Sequence, residues 1–524
     1  MLRSLTLIYI LSIAFCATAV ASPAAMPAAA PDSIPPRPTA DRLMAAFSDQ
    51  YSGLWEIAAQ AYLNPAVNQW RMDKGITSVG ASYSSARRKD NPDPRTGDAD
   101  RYWEAGASTY TKYRSSTLWG HASYLNGVCR NVAWNETADA PLLYPYLLAD
   151  SIGGDLKREQ YSFSGGYADR RGRLAWGAAI SYVALLQYRD VDPRPRNVVG
   201  RLSISLGGLY RCAGRYYAGV GFGFMKYKQT NEVEFKSEMG VDKVYHLTGL
   251  GSHYNRFAGD GLSTYYDGFR VHLDLNLYPS DSRGAFAACR LSRFSFENIL
   301  SDLNRLPLAR AWHNQLDAEA GWLSPSSAGE WGVAGNLSVW RRHGSENIFG
   351  DPAVSIYPVI GANEMYADNG VSLSASARWG LRFGPVSRFH ILLSPEWSRR
   401  TSAYIEPYSY RVVNAAGLSA RAAGDVKVGR SWLIDASASL KAQFPYSCML
   451  SLDRSDAEMA GLQRAEQGAF LLDSSRSIAT GVRVGALRTF AGKFAVALGA
   501  EWNATYWNSV ASLSHYAINL NFIF

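Results

Sequence analysis

The chain of 524 residues lacks any apolar run that would cross a bilayer as a helix. Such a helix needs about 20 consecutive apolar residues, and nothing after residue 21 approaches that length. Yet 47% of the residues are hydrophobic and 13% are aromatic, with 46 glycines. This composition indicates many short amphipathic strands rather than helices. A soluble chain of this length would be expected to divide into several domains instead.

Cysteine is scarce and charge is nearly balanced. The five cysteines show no C-x-x-C spacing, so neither a thiolate metal site nor a cofactor is expected. Whether Cys129 and Cys448 form a disulfide is left open. The 53 basic residues exceed the 45 acidic ones only modestly and form no clustered patch. A nucleic-acid partner is therefore not expected.

The N-terminus has the pattern of a signal peptide, with Arg3 followed by an apolar stretch at 5–15. Ala19-Val20-Ala21 is the expected cleavage site, and Ala17-Thr18-Ala19 is the second choice. Four regions are expected along the chain. They are a signal peptide (1–21), a disordered Pro/Ala-rich spacer (22–40), a helical or hatch segment (41–75) and an outer-membrane β-barrel (76–524).

Within the hatch segment, Asp41 is expected to cap a short helix through Phe47. The segment 55–66 is expected to form either a second helix, stopped by Pro65, or an inward-folded hatch.

The last strand shows the alternation typical of a membrane barrel most clearly. One face, expected to meet lipid, consists of Tyr516, Ile518, Leu520, Phe522 and Phe524. The other face, expected to meet the lumen, holds Ala517, Asn519 and Asn521. An aromatic residue at the end of such a strand resembles the terminal signal of bacterial outer-membrane proteins. The resemblance implies recognition of this strand by the barrel-assembly machinery.

The same alternation recurs upstream and predicts an antiparallel up-and-down barrel of about 18 strands, within a range of 16–20. The predicted strands are, approximately, 76–85, 101–112, 117–125, 159–168, 173–186, 200–211, 214–227, 268–278, 283–294, 309–320, 329–341, 370–382, 387–398, 414–427, 431–443, 476–488, 493–505 and 511–524. Their connections alternate between short and long. Because barrels have short periplasmic turns and long outer loops, both termini are expected in the periplasm.

Two middle strands carry the most lumen-facing charge and supply the candidate site. The candidate lumen-lining residues are Arg270, His272, Asp274, Asn276, His313, Gln315, Asp317 and Glu319. Ion pairs that merely line a wide lumen explain such residues, and a polar constriction or ligand site is the functional alternative. No nucleophile motif accompanies the His and Asp residues, so no catalytic residue and no metal ligand is predicted.

Tryptophans near strand ends are expected to form interfacial girdles. These are Trp103, Trp119, Trp340, Trp379, Trp397 and Trp502.

The layout as a whole resembles uncharacterised outer-membrane β-barrel families of Bacteroidota. It combines a signal peptide, a Pro-rich start, Asn64-Pro65-Ala66 before the first strand and the terminal Phe524. The Asn-Pro-Ala segment is also similar to that of hydrophobic-compound transporters with a short N-terminal hatch, and to barrels of the type IX secretion system. These resemblances imply a fold and a location in the bacterial outer membrane.

Three functions follow as hypotheses. The first is a porin-like channel or transporter for a small solute. The second is a structural or docking barrel in a surface-protein or secretion assembly, and the third is a barrel hydrolase. The expected partners are outer-membrane lipid and lipopolysaccharide, the barrel-assembly machinery, and a surface or periplasmic protein.

Overall fold

Strands with one apolar and one polar face must close on themselves in lipid, because an open edge would leave backbone N–H and C=O groups unpaired. The computed structural model describes residues 39–50, 54–236, 243–257, 262–326, 329–352, 356–384, 386–453 and 456–524. Eighteen antiparallel strands of this part form a closed barrel, as predicted. The predicted signal peptide and most of the spacer lie outside the described residues.

The strands are numbered along the chain. Those of the barrel are β1 (Ile76–Lys89), β2 (Ala99–Lys112), β3 (Ser116–Val132), β5 (Gly154–Arg171), β6 (Leu174–Tyr188), β7 (Arg196–Ala213), β8 (Tyr216–Glu232), β11 (Thr264–Pro279), β12 (Gly284–Leu300), β13 (Leu306–Pro325), β14 (Gly329–Phe349), β15 (Val359–Arg382), β16 (Arg388–Tyr404), β17 (Ser409–Val428), β18 (Trp432–Ser451), β19 (Ser477–Phe490), β20 (Phe494–Trp507) and β21 (Ala511–Ile523). A separate small sheet consists of β4 (Leu147–Asp150), β9 (Val244–Gly249) and β10 (Ser252–His253).

Each barrel strand pairs with the next along the chain, and the last returns to the first. The β1–β21 register runs from Ser78 opposite Ile523 to Lys89 opposite Ser512. Beyond it, Thr77 and Phe524 exchange two backbone hydrogen bonds, of 3.2 and 2.8 Å. The last strand thus closes the barrel against the first, beside Ile76.

The outer wall is an apolar belt. On β21 the predicted lipid-facing side chains, from Tyr516 to Phe524, are 41–56% exposed. Asn519 lies on the opposite side, within hydrogen-bond distance of Asn521. So much exposed apolar surface suits a lipid solvent and not water.

The two rims of the barrel differ. One rim, here the turn end, has links of two to five residues, such as 172–173 and 383–387. The other, the loop end, carries the long connections 133–153, 233–263 and 452–476.

Several predicted loops are in fact strand. The predicted loop 342–369 shortens to 350–358, and 399–413 shortens to 405–408. The reason is that β14 and β15 continue to pair above the apolar belt, where apolar and polar residues no longer alternate along the strands. The alternation in the sequence therefore ends at the lipid boundary, whereas the backbone hydrogen bonds between the strands continue beyond it.

The helices are short. They are α1 (Ala40–Gln50), α2 (Leu54–Ile57), α3 (Ala140–Leu143) and α4 (Ala460–Ser474), with 3-10 turns at Ala61–Leu63, Pro65–Trp70, Pro94–Thr96 and Asn255–Phe257. Among the described residues, none of the helices is long and apolar enough to cross a membrane.

Two predictions about the hatch segment are wrong in detail. Asp41 does not cap α1: the helix begins at Ala40, and the Thr39 hydroxyl accepts a hydrogen bond from the Arg42 N–H at 3.3 Å. Pro65 does not stop a helix. The regular helix has already ended at Ile57, and Pro65 opens a 3-10 turn, where its missing N–H costs nothing.

The same substitution should have different effects on stability on the two faces of β21. Ile518→Arg places a charge in the lipid belt and should lower the free energy of unfolding by about 2–4 kcal/mol. Ala517→Arg faces the lumen opposite Glu501 and should cost little. Denaturant unfolding in lipid vesicles measures both, and equal losses would contradict the assigned faces.

Candidate functional site

The N-terminal segment from Thr39 to Gly75, here called the hatch, crosses the turn end of the lumen. On one side Leu43, Met44 and Phe47 of α1 are buried in one cluster with Leu433 and Leu487 of the wall. On the other side, the 3-10 turns cluster with residues of β6–β8 and β11–β14, among them those listed here: Ala175, Leu209, Tyr217, Tyr278, Phe286 and Ala334. The segment therefore spans the barrel from wall to wall.

Asn64 is the best-fitted residue of the hatch. It is fully buried, and its side-chain oxygen accepts from the Ala66 N–H at 3.0 Å, which caps the following 3-10 turn. Its amide donates to the Asn276 side chain at 2.9 Å. A Cβ atom at Gly207 would lie 1.9 Å from the Asn64 oxygen, so glycine is required there. These contacts give the Asn-Pro-Ala segment a physical role.

Polar contacts fasten the rest of the hatch to separate strands. The backbone N–H of Gln60 donates to Glu319 at 3.3 Å. Arg421 pairs with Glu56 at 3.1 Å. Arg388 bonds to both Ser48 and Asp49 of α1. The hatch is therefore attached to the wall at several points by polar contacts.

The eight predicted lumen residues form an ordered array. They lie on β11 and β13, with β12 between them, and the register of the sheet places them in four rows. From the loop end to the turn end, the rows hold Arg270 with His313, His272 with Gln315, Asp274 with Asp317, and Asn276 with Glu319.

The two lower rows contact the hatch and neighbouring side chains of the wall. Asn276 and Glu319 bind the hatch, as described above. Asp274 accepts two hydrogen bonds from the Arg290 guanidinium, at 2.5 and 2.8 Å. Asp317 accepts from Ser338 at 2.7 Å and from Gln315 at 2.9 Å. These rows fit the interpretation that charged side chains line and brace the wall.

The uppermost row is different, because its arginines have no carboxylate partner in the described part of the chain. Arg270 stacks over the Phe294 ring at 5.3 Å, and within the described chain no carboxylate lies within 4.0 Å of its guanidinium. Arg342, in the same row on β14, donates to the backbone oxygens of Pro141 and Tyr144 at 3.1 and 2.8 Å. Its buried Nε and the buried Nδ1 of His313 have no hydrogen-bond partner.

A roof covers the loop end of this array. It comprises the described residues 133–153, 243–257 and 456–474, which include the small sheet and α4. Strand β4 pairs with β9, from Leu147 opposite Leu247 to Asp150 opposite Val244. Roof side chains form one cluster with wall residues; its members include Trp134, Leu143, Tyr146, Met225, Tyr227, Phe294 and Phe296.

Buried polar groups tie the roof down. Arg189, in the β6–β7 link, bonds to Glu136 at 3.1 Å and to Asp150 at 2.7 Å, and all three side chains are buried. Burial beside Asp150 raises the pKa of Glu136 well above its ordinary value. On the far side, Arg95 pairs with Glu466 of α4 at 2.6 Å.

Between roof and array lies a polar cavity of about 540 Å³. Its lining includes His313, Gln315, Arg342 and Arg400 from the wall, with Tyr144 from the roof. Trp340 also lines it and donates to Asp368 at 3.3 Å.

Trp340 and Trp119 therefore do not belong to the interfacial girdles. Trp340 faces the cavity, and Trp119 fills the space beside Gly166 on the lumen side. The exposed side chains of Trp103, Trp379 and Trp502 lie on the outer wall.

The described residues of this array form neither a metal site nor the Ser–His pair of a hydrolase. In the described ranges, no group of three or more His, Cys, Asp or Glu side chains is placed to hold a metal ion. Ser292 lies opposite His272 in the sheet, but the buried Nε2 of His272 has no hydrogen-bond partner. Asp274, 3.7 Å from that nitrogen, is bound by Arg290 instead. A hydrolase would need the nucleophile in contact with its base.

Comparison with known proteins assigns the chain to a family. A family model described as a family of unknown function, DUF6850, matches residues 65–524. The chain belongs to that family. None of the curated proteins matches.

Three solved structures illustrate the similar barrels. The CymD monoaromatic hydrocarbon channel is 10% identical over 89% of this chain and 92% of its own, with a TM-score of 0.31. The ferric preacinetobactin receptor BauA of Acinetobacter baumannii is 9% identical over 86% and 80%, with a TM-score of 0.38. The Pseudomonas putida toluene transporter TodX is 9% identical over 90% and 93%, with a TM-score of 0.28.

Gly207 offers a way to displace the hatch without touching it. Gly207→Val should push Asn64 out of its pocket, because the added atoms overlap its side chain. Hydrogen exchange at residues 61–70 should become faster while the barrel strands stay protected. Gly208→Val is the matched control, since a Cβ atom there meets nothing within 4 Å. Unchanged exchange in the Gly207 variant would contradict the fitted hatch.

His246 should make the roof sensitive to acid. It lies on β9, and burial, with a smaller contribution from His253, lowers its pKa to about 4. Because the unfolded form has the ordinary pKa of about 6.5, its neutral form stabilises the roof fully above that pH. Stability should then fall by about 1.4 kcal/mol per pH unit between about pH 6.5 and 4.

Hydrogen exchange of the roof as a function of pH measures this loss. His246→Phe is the control, because Glu136 titrates equally in both proteins and the difference isolates His246. Parallel pH profiles would contradict the assignment.

Proposed function

We propose that this protein is a gated channel of the bacterial outer membrane that passes a small polar solute. The observation that carries this proposal is the polar cavity of about 540 Å³ between the roof and the lumen array. A barrel that served only as a scaffold has no need of a polar chamber with unfilled hydrogen-bond donors. Hatch and roof are attached by side-chain contacts, so either can move without breaking the barrel.

The chamber favours a solute that carries an anionic group. Arg342 lines it without a carboxylate within 4.0 Å in the described chain, and its Nε is an unfilled buried donor. Buried donors are nearly always paired in proteins, so an acceptor is expected at this point. Guanidinium groups bind carboxylate or phosphate in a forked geometry.

The orientation follows from barrel architecture. Long connections lie outside the cell in outer-membrane barrels, and short turns lie in the periplasm. We therefore place the roof on the cell surface, and the hatch and both termini in the periplasm.

Planar-bilayer recording tests the gated channel. Wild type should conduct little, because the hatch crosses the lumen, and Gly207→Val should conduct several-fold more. In that variant the reversal potential in a salt gradient should indicate anion preference, and adding Arg270→Gln and Arg342→Gln should reduce it. A Gly207→Val protein that displaces its hatch but stays silent would contradict the channel.

The second candidate function, a docking barrel, is favoured by one feature of the loop end. Residues 359–365 of β15 pair with β14, but the pairing with β16 begins only at Tyr366. This projecting edge exposes Ile360 (68%) and Val359 (48%). A free strand edge with apolar side chains accepts a strand from another protein. Silent bilayers in both proteins above would favour this function.

A further inference from the structure

Exposed arginines stand on the outer wall where the apolar belt ends. They occur on alternate strands, each two residues after an apolar outward position: Arg293 after Leu291, Arg341 after Val339, and Arg399 after Trp397. In the part of the chain that the structure describes, no carboxylate lies within 4.0 Å of these guanidinium groups. The solute pathway does not use them, since they face away from the lumen.

Arg293 and Arg341 act as a pair. They lie in one row of the sheet with Asn314 between them. Because neighbouring strands are about 4.8 Å apart, their Cα atoms are separated by about 10 Å. Long side chains at that spacing reach a common group.

Below this pair the outer wall is concave. The concavity has a volume of about 510 Å³ and is lined by both arginines and Asn314. Its floor is apolar and includes Phe222, Leu273 and Leu291, which are 53%, 39% and 48% exposed. An apolar floor in the lipid belt fits an acyl chain.

The arginines lie at the depth of lipid headgroups. One row closer to the loop end, Trp312 and His343 stack on each other with ring centroids 5.7 Å apart. Tryptophan prefers the membrane–water interface. Two cations at this depth, above an apolar groove, are complementary to a lipid that carries a phosphate.

We propose that Arg293 and Arg341, with Asn314 between them, bind the phosphate of an anionic lipid whose acyl chain lies in this groove. With the roof on the cell surface the lipid belongs to the outer leaflet, and its class is the phosphorylated glycolipid of lipopolysaccharide. The site depends on the orientation proposed above, and not on whether the lumen conducts.

Native mass spectrometry of the delipidated full chain tests the site. The probes are bisphosphorylated lipid A and the same lipid without its phosphates. Wild type should retain lipid A and bind the dephosphorylated lipid at least tenfold more weakly. Arg293→Gln with Arg341→Gln should lower lipid A binding by at least tenfold.

Arg87→Gln is the matched control. Arg87 is an exposed arginine on β1, on the opposite side of the barrel, and its loss should leave binding unchanged. An unchanged thermal unfolding midpoint shows that each variant is folded. Equal binding of lipid A by the double variant, or equal binding of the two lipids by wild type, would overturn the proposal. Displacement of lipid A by millimolar inorganic phosphate would also overturn it, since that would indicate a site for free anions.

Discussion

The hydrogen bonds between β1 and β21 decide everything else in this protein. Lipid offers no partner for a free strand edge, so the sheet has to close. Closure fixes the register, and a slip of one residue would exchange the inner and outer faces of every strand. The lipid belt, the lumen array and the outer arginines therefore share one origin. Whether a residue faces lipid or lumen depends on whether its position along the strand is odd or even.

The interior is asymmetric, and the hatch explains why. The 3-10 part of the hatch packs closely on one arc of the wall, where Gly177 and Gly207 leave room for its backbone and for Asn64. Helix α1 lies against the other arc at the turn end. It is attached there by ion pairs of Asp41 with Lys427 and of Asp49 with Arg388. Pairs of this partly exposed kind contribute little, commonly below about 1 kcal/mol each. The buried side chains of Leu43, Met44 and Phe47 therefore contribute most of the attachment of this helix.

Sequence alone predicted the barrel because alternation is a local property that each strand carries by itself. It did not predict the small sheet, since Leu147 to Asp150 is fully buried and shows no alternation, and its partner strand β9 is about a hundred residues away. The cap of α1 was ambiguous because Thr39 and Asp41 are both good capping residues two positions apart. The lumen position of Trp340 could have been predicted from the sequence, since Trp340 directly follows the outward-facing Val339 and so points to the opposite face.

The eight lumen residues were predicted as one set, but their partners divide them. The lower rows contact the hatch, Arg290, Ser338 and Gln315, whereas the upper row faces the roof. There the Arg342 guanidinium is bound to two backbone oxygens of the roof, at Pro141 and Tyr144. In a channel of the proposed kind, an anionic solute would compete with these oxygens for the same donors. Binding and roof opening would then be thermodynamically linked, because a ligand that prefers the open state shifts the equilibrium towards it.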